Sequence, residues 1–191
     1  MIETKRTYMI FTSPKEVMDI VDRAIHHLPA LGFRPTLSFE RIGQGTFDNK
    51  MIGAVASGPS HRITVNIDWY ESTDEQDLHY LIWHETRHLY QWSQIEKMHM
   101  GQTYLDDLKV IRQWEYKIKN YIYNTPATEY AHMKQDMEID AYSFAVFMLF
   151  HYFRKPDGQI YIGLPPMTED EIMDRATKSA NADYAIFRRV V

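Results

Sequence analysis

The chain has 191 residues, 45% of them apolar, which is enough for one sizeable core and predicts a single domain over 1–191. Twenty-six Asp and Glu against 21 Lys and Arg leave a formal charge of −5, with no basic cluster to draw nucleic acid or an anionic membrane surface. Cysteine is absent, which excludes disulfides, thiolate metal sites and cysteine nucleophiles, so any metal must be held by His, Asp or Glu.

Met1 to Thr12 holds too few apolar residues for the core of a secretory leader. No apolar run reaches the roughly 18 residues that a membrane helix needs. A soluble, cytoplasmic protein is therefore expected. The first element is announced by Ser13, Pro14 and Glu16: a capping hydroxyl, a proline at the first helical position and a carboxylate three residues after the cap. Val17, Ile20, Val21, Ala24, Ile25 and Leu28 follow at helical spacing, and Pro29 and Gly32 end the helix. Three strand-like runs come next, Thr36 to Ile42, Met51 to Ser57 and Arg62 to Ile67, separated by turns rich in Gly or Pro. A small antiparallel sheet is the simplest expectation.

Ser72 and Glu75 form a second capping box, which predicts a helix carrying Leu78, Ile82, Leu89, Trp92 and Ile95 on one face. A third helix is expected from Tyr104 to Tyr121, with Leu105, Leu108, Ile111, Trp114 and Ile118 as its stripe, and a fourth from Thr125 and Pro126 to about Phe153. Gly158 to Pro166 reads as a loop or short strand, and Thr168 with Glu171 opens a last short helix. Residues 154–191 make a candidate C-terminal appendage. The predicted class is α+β, a small antiparallel sheet with helices packed on one side.

The chemistry lies in the second predicted helix, where His84-Glu85-Thr86-Arg87-His88 matches H-E-x-x-H. One helical turn separates the two histidines, so both imidazoles reach one side and can share a zinc ion, with Glu85 beside them as catalytic base. A zinc site also needs a third protein ligand. Gln91 and Gln94 stand where a longer H-E-x-x-H-x-x-G-x-x-H motif would require Gly and His. His99 and His151 are isolated histidines of the kind that usually serves a surface or structural role. Glu138 is the better candidate, because on a helix it shares a stripe with Ala141, Ala145 and Met148 and turns a carboxylate inward, where it needs a partner. Asp136 and Asp140 project to another face.

Residues 84–88 together with Glu138-Ile139-Asp140-Ala141-Tyr142-Ser143-Phe144-Ala145 resemble gluzincin-type peptidases, in particular the ImmA/IrrE-like family, whose second motif reads roughly E-x-E-A-N-x-F-A. The resemblance implies a zincin-like active-site helix, metal ligation by His84, His88 and Glu138, and a regulatory protease acting on a peptide or protein substrate. It also implies that the strand Arg62 to Ile67 borders the cleft and pairs with extended peptide. Asp140 replaces the family's second glutamate, and Tyr142 stands where the family has Asn and other gluzincins have an Asp that orients a histidine. Gln91, just under a turn beyond His88, is a candidate for that orienting role. Arg87 is expected to pair with Asp140 or Asp136, and Tyr130, His132 and Tyr142 are candidate donors to a developing oxyanion. The competing expectation is a binding or toxin-like module that keeps zinc for stability and hydrolyses nothing.

Overall fold

The structure is a computed structural model that describes residues 14–123, 125, 127–153 and 168–187, except for the side chains of Tyr130 and 179–187. The predicted cap Ser13, the leader region Met1 to Thr12 and the Gly158 to Pro166 segment lie outside the described residues. Helix α1 (Pro14–His26) forms where proline and capping chemistry predict, and buries Val17, Ile20, Val21 and Ala24. The chain leaves it through turns at His27 and Leu28, ahead of Pro29, and Gly32 adopts a positive φ of 81°.

Three strands follow, β1 (Thr36–Glu40), β2 (Ala54–Ser57) and β3 (Arg62–Asn66), in the order β1-β3-β2. β2 pairs with β3 antiparallel, but β1 pairs with β3 parallel, so the sheet is mixed rather than antiparallel. The reason is burial: Ile63, Thr64, Val65 and Asn66 are all buried, so β3 goes to the centre. The long connection 41–53 then lets β1 and β2 take opposite flanks. With both sides of β3 paired, the expectation that Arg62 to Ile67 itself offers an edge to a peptide is overturned. The edges belong to β1 and β2.

Asn66 ends β3 and caps the short, unanticipated helix α2 (Ile67–Tyr70), its side chain accepting from the Asp68 and Trp69 N–H groups. The Ser72 hydroxyl closes that helix, its one proton shared between the Asp68 and Trp69 carbonyls. Helix α3 (Glu75–His99) instead takes Asp74 as its N-cap, which accepts from the Asp77 N–H. α3 is the axis of the molecule: α1, the sheet, α4 (Leu108–Lys119) and α6 (Asp136–Tyr152) all pack against it.

α4 is shorter than its apolar stripe predicts. Asp107 caps it, Leu105 is exposed, and only Ile111 and Trp114 are buried. The single helix expected from Thr125 to Phe153 is two, α5 (Glu129–Met133) and α6, broken at Gln135, whose backbone is extended (ψ 132°). The final helix α7 (Glu169–Phe187) is longer than expected and packs on α6, with Ile172 and Ala176 in the same core as α1, α3 and the sheet. Among the described residues no helix is long and apolar enough to cross a membrane.

Two glycines seat the sheet. A Cβ at Gly53 would lie 2.4 Å from Trp69 and 2.5 Å from Leu81, and one at Gly58 would lie 2.2 Å from the Trp92 ring. β2 thus has a glycine just before and just after it, and each lets the backbone close on an aromatic ring. Overpacking of this kind costs about 1–3 kcal/mol, so Gly58→Ala is expected to lower the unfolding free energy by that amount, read as a lower urea midpoint with an unchanged slope; an unaltered midpoint would show that Trp92 moves aside freely.

His79, buried on α3, carries a pH signature. Its Nδ1–H donates to the Glu75 carbonyl (2.8 Å) and its Nε2 accepts from Arg23 (3.4 Å). Desolvation, helped by Arg23, holds the ring below the usual histidine value of 6.5. The unfolded chain therefore takes up the proton first as pH falls, so this contribution is complete above about pH 6.5 and is lost on going down through the folded value. Urea titrations of the wild type and His79→Asn between pH 7 and pH 5 are expected to show the wild type losing more stability; parallel curves would remove His79 from the account.

Candidate metal centre

Helices α3 and α6 face each other across small residues, Ala141 and Ala145, both fully buried. From α3, one turn of spacing delivers His84 Nε2 and His88 Nε2 to a separation of 3.0 Å, with the rings nearly perpendicular at 87°. From the first turn of α6, where helix N–H groups favour negative charge, comes Glu138, whose side chain is 1% exposed. Its Oε2 lies 3.3 Å from His84 Nε2 and 3.5 Å from His88 Nε2.

Three lone-pair-bearing atoms, buried and this close, hold together only around positive charge, either shared protons or a cation. The spacing also suits a metal: donors about 2.0–2.1 Å from a tetrahedral cation lie about 3.3–3.4 Å from one another. The buried His84, His88, Glu138 group can hold a metal ion, with all three donor atoms within 4.8 Å of one another. It is built of two nitrogens and one oxygen.

The surrounding groups fix Glu138 as a one-oxygen partner. Tyr121 donates its hydroxyl to Oε1 at 2.8 Å, leaving Oε2 to the histidines, with His132 Nε2 a further 3.6 Å neighbour. Tyr121 and His132 are brought there by the break at Gln135. The Gln135 amide donates to the Ile122 carbonyl and accepts from the Ile122 N–H, and His132 Nδ1 donates to the same carbonyl. The helix break, which apolar periodicity does not foresee, thus pins the loop that carries Tyr121.

Glu85 is buried beside the histidines, and its Oε2 accepts the Ala56 N–H at 2.7 Å. The Asn66 N–H donates to the Gly53 carbonyl, so the alternation of an antiparallel ladder turns Val55 and Ser57 to β3 and Ala54 and Ala56 to the open edge. The edge strand is therefore tied to the carboxylate of the motif.

Through the protein groups alone, desolvation raises Glu85 to about 7, aided by Glu138 and opposed by His88 and the Ala56 N–H. Desolvation and the neighbouring His88 lower His84 to about 4. Burial works against the charged forms of both His88 and Glu138, but their mutual attraction prevails, holding His88 above and Glu138 well below their usual ranges. A bound cation would push all four downward.

The remaining sequence candidates sort by geometry. Gln91 Oε1 meets His88 Nδ1 at 2.9 Å, the expected orienting contact. Arg87 pairs with Asp140 through Nε (2.8 Å) and a terminal nitrogen (3.1 Å), and Asp140 is therefore not on a free face. Asp136 accepts from Gln113 instead. Tyr142 does not orient a ring nitrogen; it packs on His84 at 4.3 Å between centroids. His99 pairs with Glu115, His151 lies against His27, and neither joins the group. The Tyr130 side chain lies outside the described residues. Tyr121 was not anticipated, being one of 13 tyrosines with no spacing to distinguish it. Comparison with known proteins finds no matching family model, no similar curated protein and no similar solved structure.

Proposed function

We propose that the protein is a zinc-dependent peptidase of the gluzincin type, with His84, His88 and Glu138 as metal ligands and Glu85 as general base. The observation that carries this reading is the convergence of two imidazole nitrogens and one carboxylate oxygen at 3.0–3.5 Å, with a second buried carboxylate next to them. A nitrogen and oxygen donor set of this kind suits zinc, which when bound supplies a Lewis acid and makes water acidic enough to act as a nucleophile near neutral pH.

The chain's own groups would then do the following. Glu85, anchored through Oε2 to Ala56 N–H, presents Oε1 for proton transfer, taking a proton from the attacking water and returning one to the leaving amine. Its raised value of about 7 suits a group that must both take and release a proton. Tyr121 holds Glu138 to one oxygen, and the open edge of β2 can take an extended peptide by strand addition beside the base. Tyr142, packed on the His84 ring, is a candidate to donate to a developing oxyanion, whereas His132 has already given its Nδ1–H to the Ile122 carbonyl. A regulatory role against a cellular protein is what the resemblance to ImmA/IrrE-like peptidases implies.

A second reading keeps the metal and drops the hydrolysis, as in a zinc-stabilised binding or toxin-like module. It is favoured by the tether between Glu85 and Ala56, which gives the motif glutamate a structural partner. Zinc binds in both readings. At a zinc concentration 100 times Kd the folded state gains about 2.7 kcal/mol, visible as a rise in melting temperature that a chelator reverses. Glu138→Gln should weaken zinc binding by more than the roughly 10–100-fold typical of outer contacts; a full-strength shift in that variant would remove Glu138 from the ligand set.

Glu85→Gln separates the readings. Cleavage of a mixed peptide library, read by mass spectrometry with zinc present, is expected to fall about 10²–10⁴-fold while zinc binding stays as in the wild type. Cleavage that survives the substitution would sink the base assignment, and a wild type that binds zinc yet cleaves nothing would favour the binding module.

A further inference from the structure

Gln91 is fully buried on α3 and makes three hydrogen bonds that leave its amide one orientation. Its two N–H groups donate to the Met137 carbonyl (2.9 Å) and to Asp140 Oδ2 (2.7 Å). A carbonyl and an ionised carboxylate can only accept, so rotating the amide by half a turn would set its oxygen against two acceptors. Gln91 Oε1 must therefore face His88 Nδ1, at 2.9 Å, and only a ring N–H can satisfy it.

The consequence reaches the far side of the ring. With the proton fixed on Nδ1, the neutral imidazole carries its lone pair on Nε2, the atom that lies 3.0 Å from His84 Nε2 and 3.5 Å from Glu138 Oε2. Asp140 is held in turn by the two-point pair with Arg87, whose guanidinium lies over Tyr90 at 4.4 Å and near Trp114 and Phe144. His84 differs: among the described residues its buried Nδ1 has no hydrogen-bond partner.

We propose that Gln91 is a positioning residue that locks His88 in the Nδ1–H tautomer, and that the half-buried Arg87–Asp140 pair exists to stop the Gln91 amide from flipping. This rests on the metal reading of the centre only for its purpose. It accounts for the polar Arg87 inside the motif and for a centre in which one histidine is preset and the other is not.

The test uses the full chain labelled with 15N-histidine. Long-range 15N–1H correlation spectra, taken after chelator treatment with the pH raised until the His88 ring is neutral, report the tautomer, and competition with a chelating dye reports zinc affinity. The wild type should show Nδ1–H at His88. Gln91→Leu should give a mixture of tautomers and bind zinc about 10–100-fold more weakly. Asp140→Asn keeps Gln91 but removes the acceptor-only carboxylate that fixes its amide, and should shift both readouts part of the way towards Gln91→Leu. An Nε2–H ring in the wild type, or a Gln91→Leu protein with unchanged tautomer and affinity, overturns the proposal. Should Gln91→Leu not fold, the wild-type tautomer alone decides. An Nδ1–H ring in a protein that binds no zinc would uphold the lock and remove the metal reading instead.

Discussion

Everything in this structure is arranged around one electrostatic demand: three acceptor atoms from two helices meet in a buried place and require positive charge between them. Leaving that charge uncompensated would cost several kcal/mol per buried group, so the position of α6 against α3 matters for more than core packing. Ala141 and Ala145 allow the close approach, and Glu138 at the N-terminal turn of α6 adds the helix's own partial charge to its stability as an anion.

The charge demand also explains why so many polar groups are buried here without loss. Gln91, Asp140 and Arg87 form one connected set on the His88 side, and Tyr121, His132 and Gln135 form another on the Glu138 side. Each set is anchored on backbone, at Met137 and Ile122 respectively, so neither can shift without breaking main-chain hydrogen bonds. A polar network with every member satisfied makes a site rigid; one with gaps makes it soft. His84 Nδ1, unpartnered among the described residues, marks the softer side.

What could be read from the sequence follows a physical line. His84, Glu85 and His88 are legible because a helix turns five consecutive residues into a fixed geometry. Glu138 is legible because an acidic residue on an apolar stripe has an unfavourable position unless something meets it. The sheet is not legible to the same degree: neighbouring runs suggest a simple antiparallel order, whereas β1 reaches the far side of β3 and pairs parallel, a choice set by which strand must be buried twice. The break at Gln135 is hidden because Lys134 and Gln135 are both good helix formers, and the reason for the break, two hydrogen bonds to Ile122, lies 13 residues away. The exposed Leu105 shows the converse, apolar spacing continuing past the cap at Asp107 where no partner surface exists. The two motif segments, 53 residues apart at Arg87 and Asp140, face each other across the centre.

The tether between Glu85 and Ala56 bears on both functional readings at once. Because the donor is a main-chain N–H on the open edge of β2, strand and carboxylate are fixed in a common frame, and Gly53 and Gly58 hold that strand down on Trp69 and Trp92. For a binding module this would be a brace between sheet and helix, and any hydrogen-bonding side chain of similar reach could replace it. For a peptidase the same bond has a further consequence: with the Ala56 N–H given to Glu85, an extended chain added to β2 takes its register from the Ala54 backbone and the Ala56 carbonyl, which places its peptide groups at set distances from Glu85 without any side-chain recognition. On that reading, position along the substrate is set by main-chain hydrogen bonds, and selectivity must come from the pockets on either side.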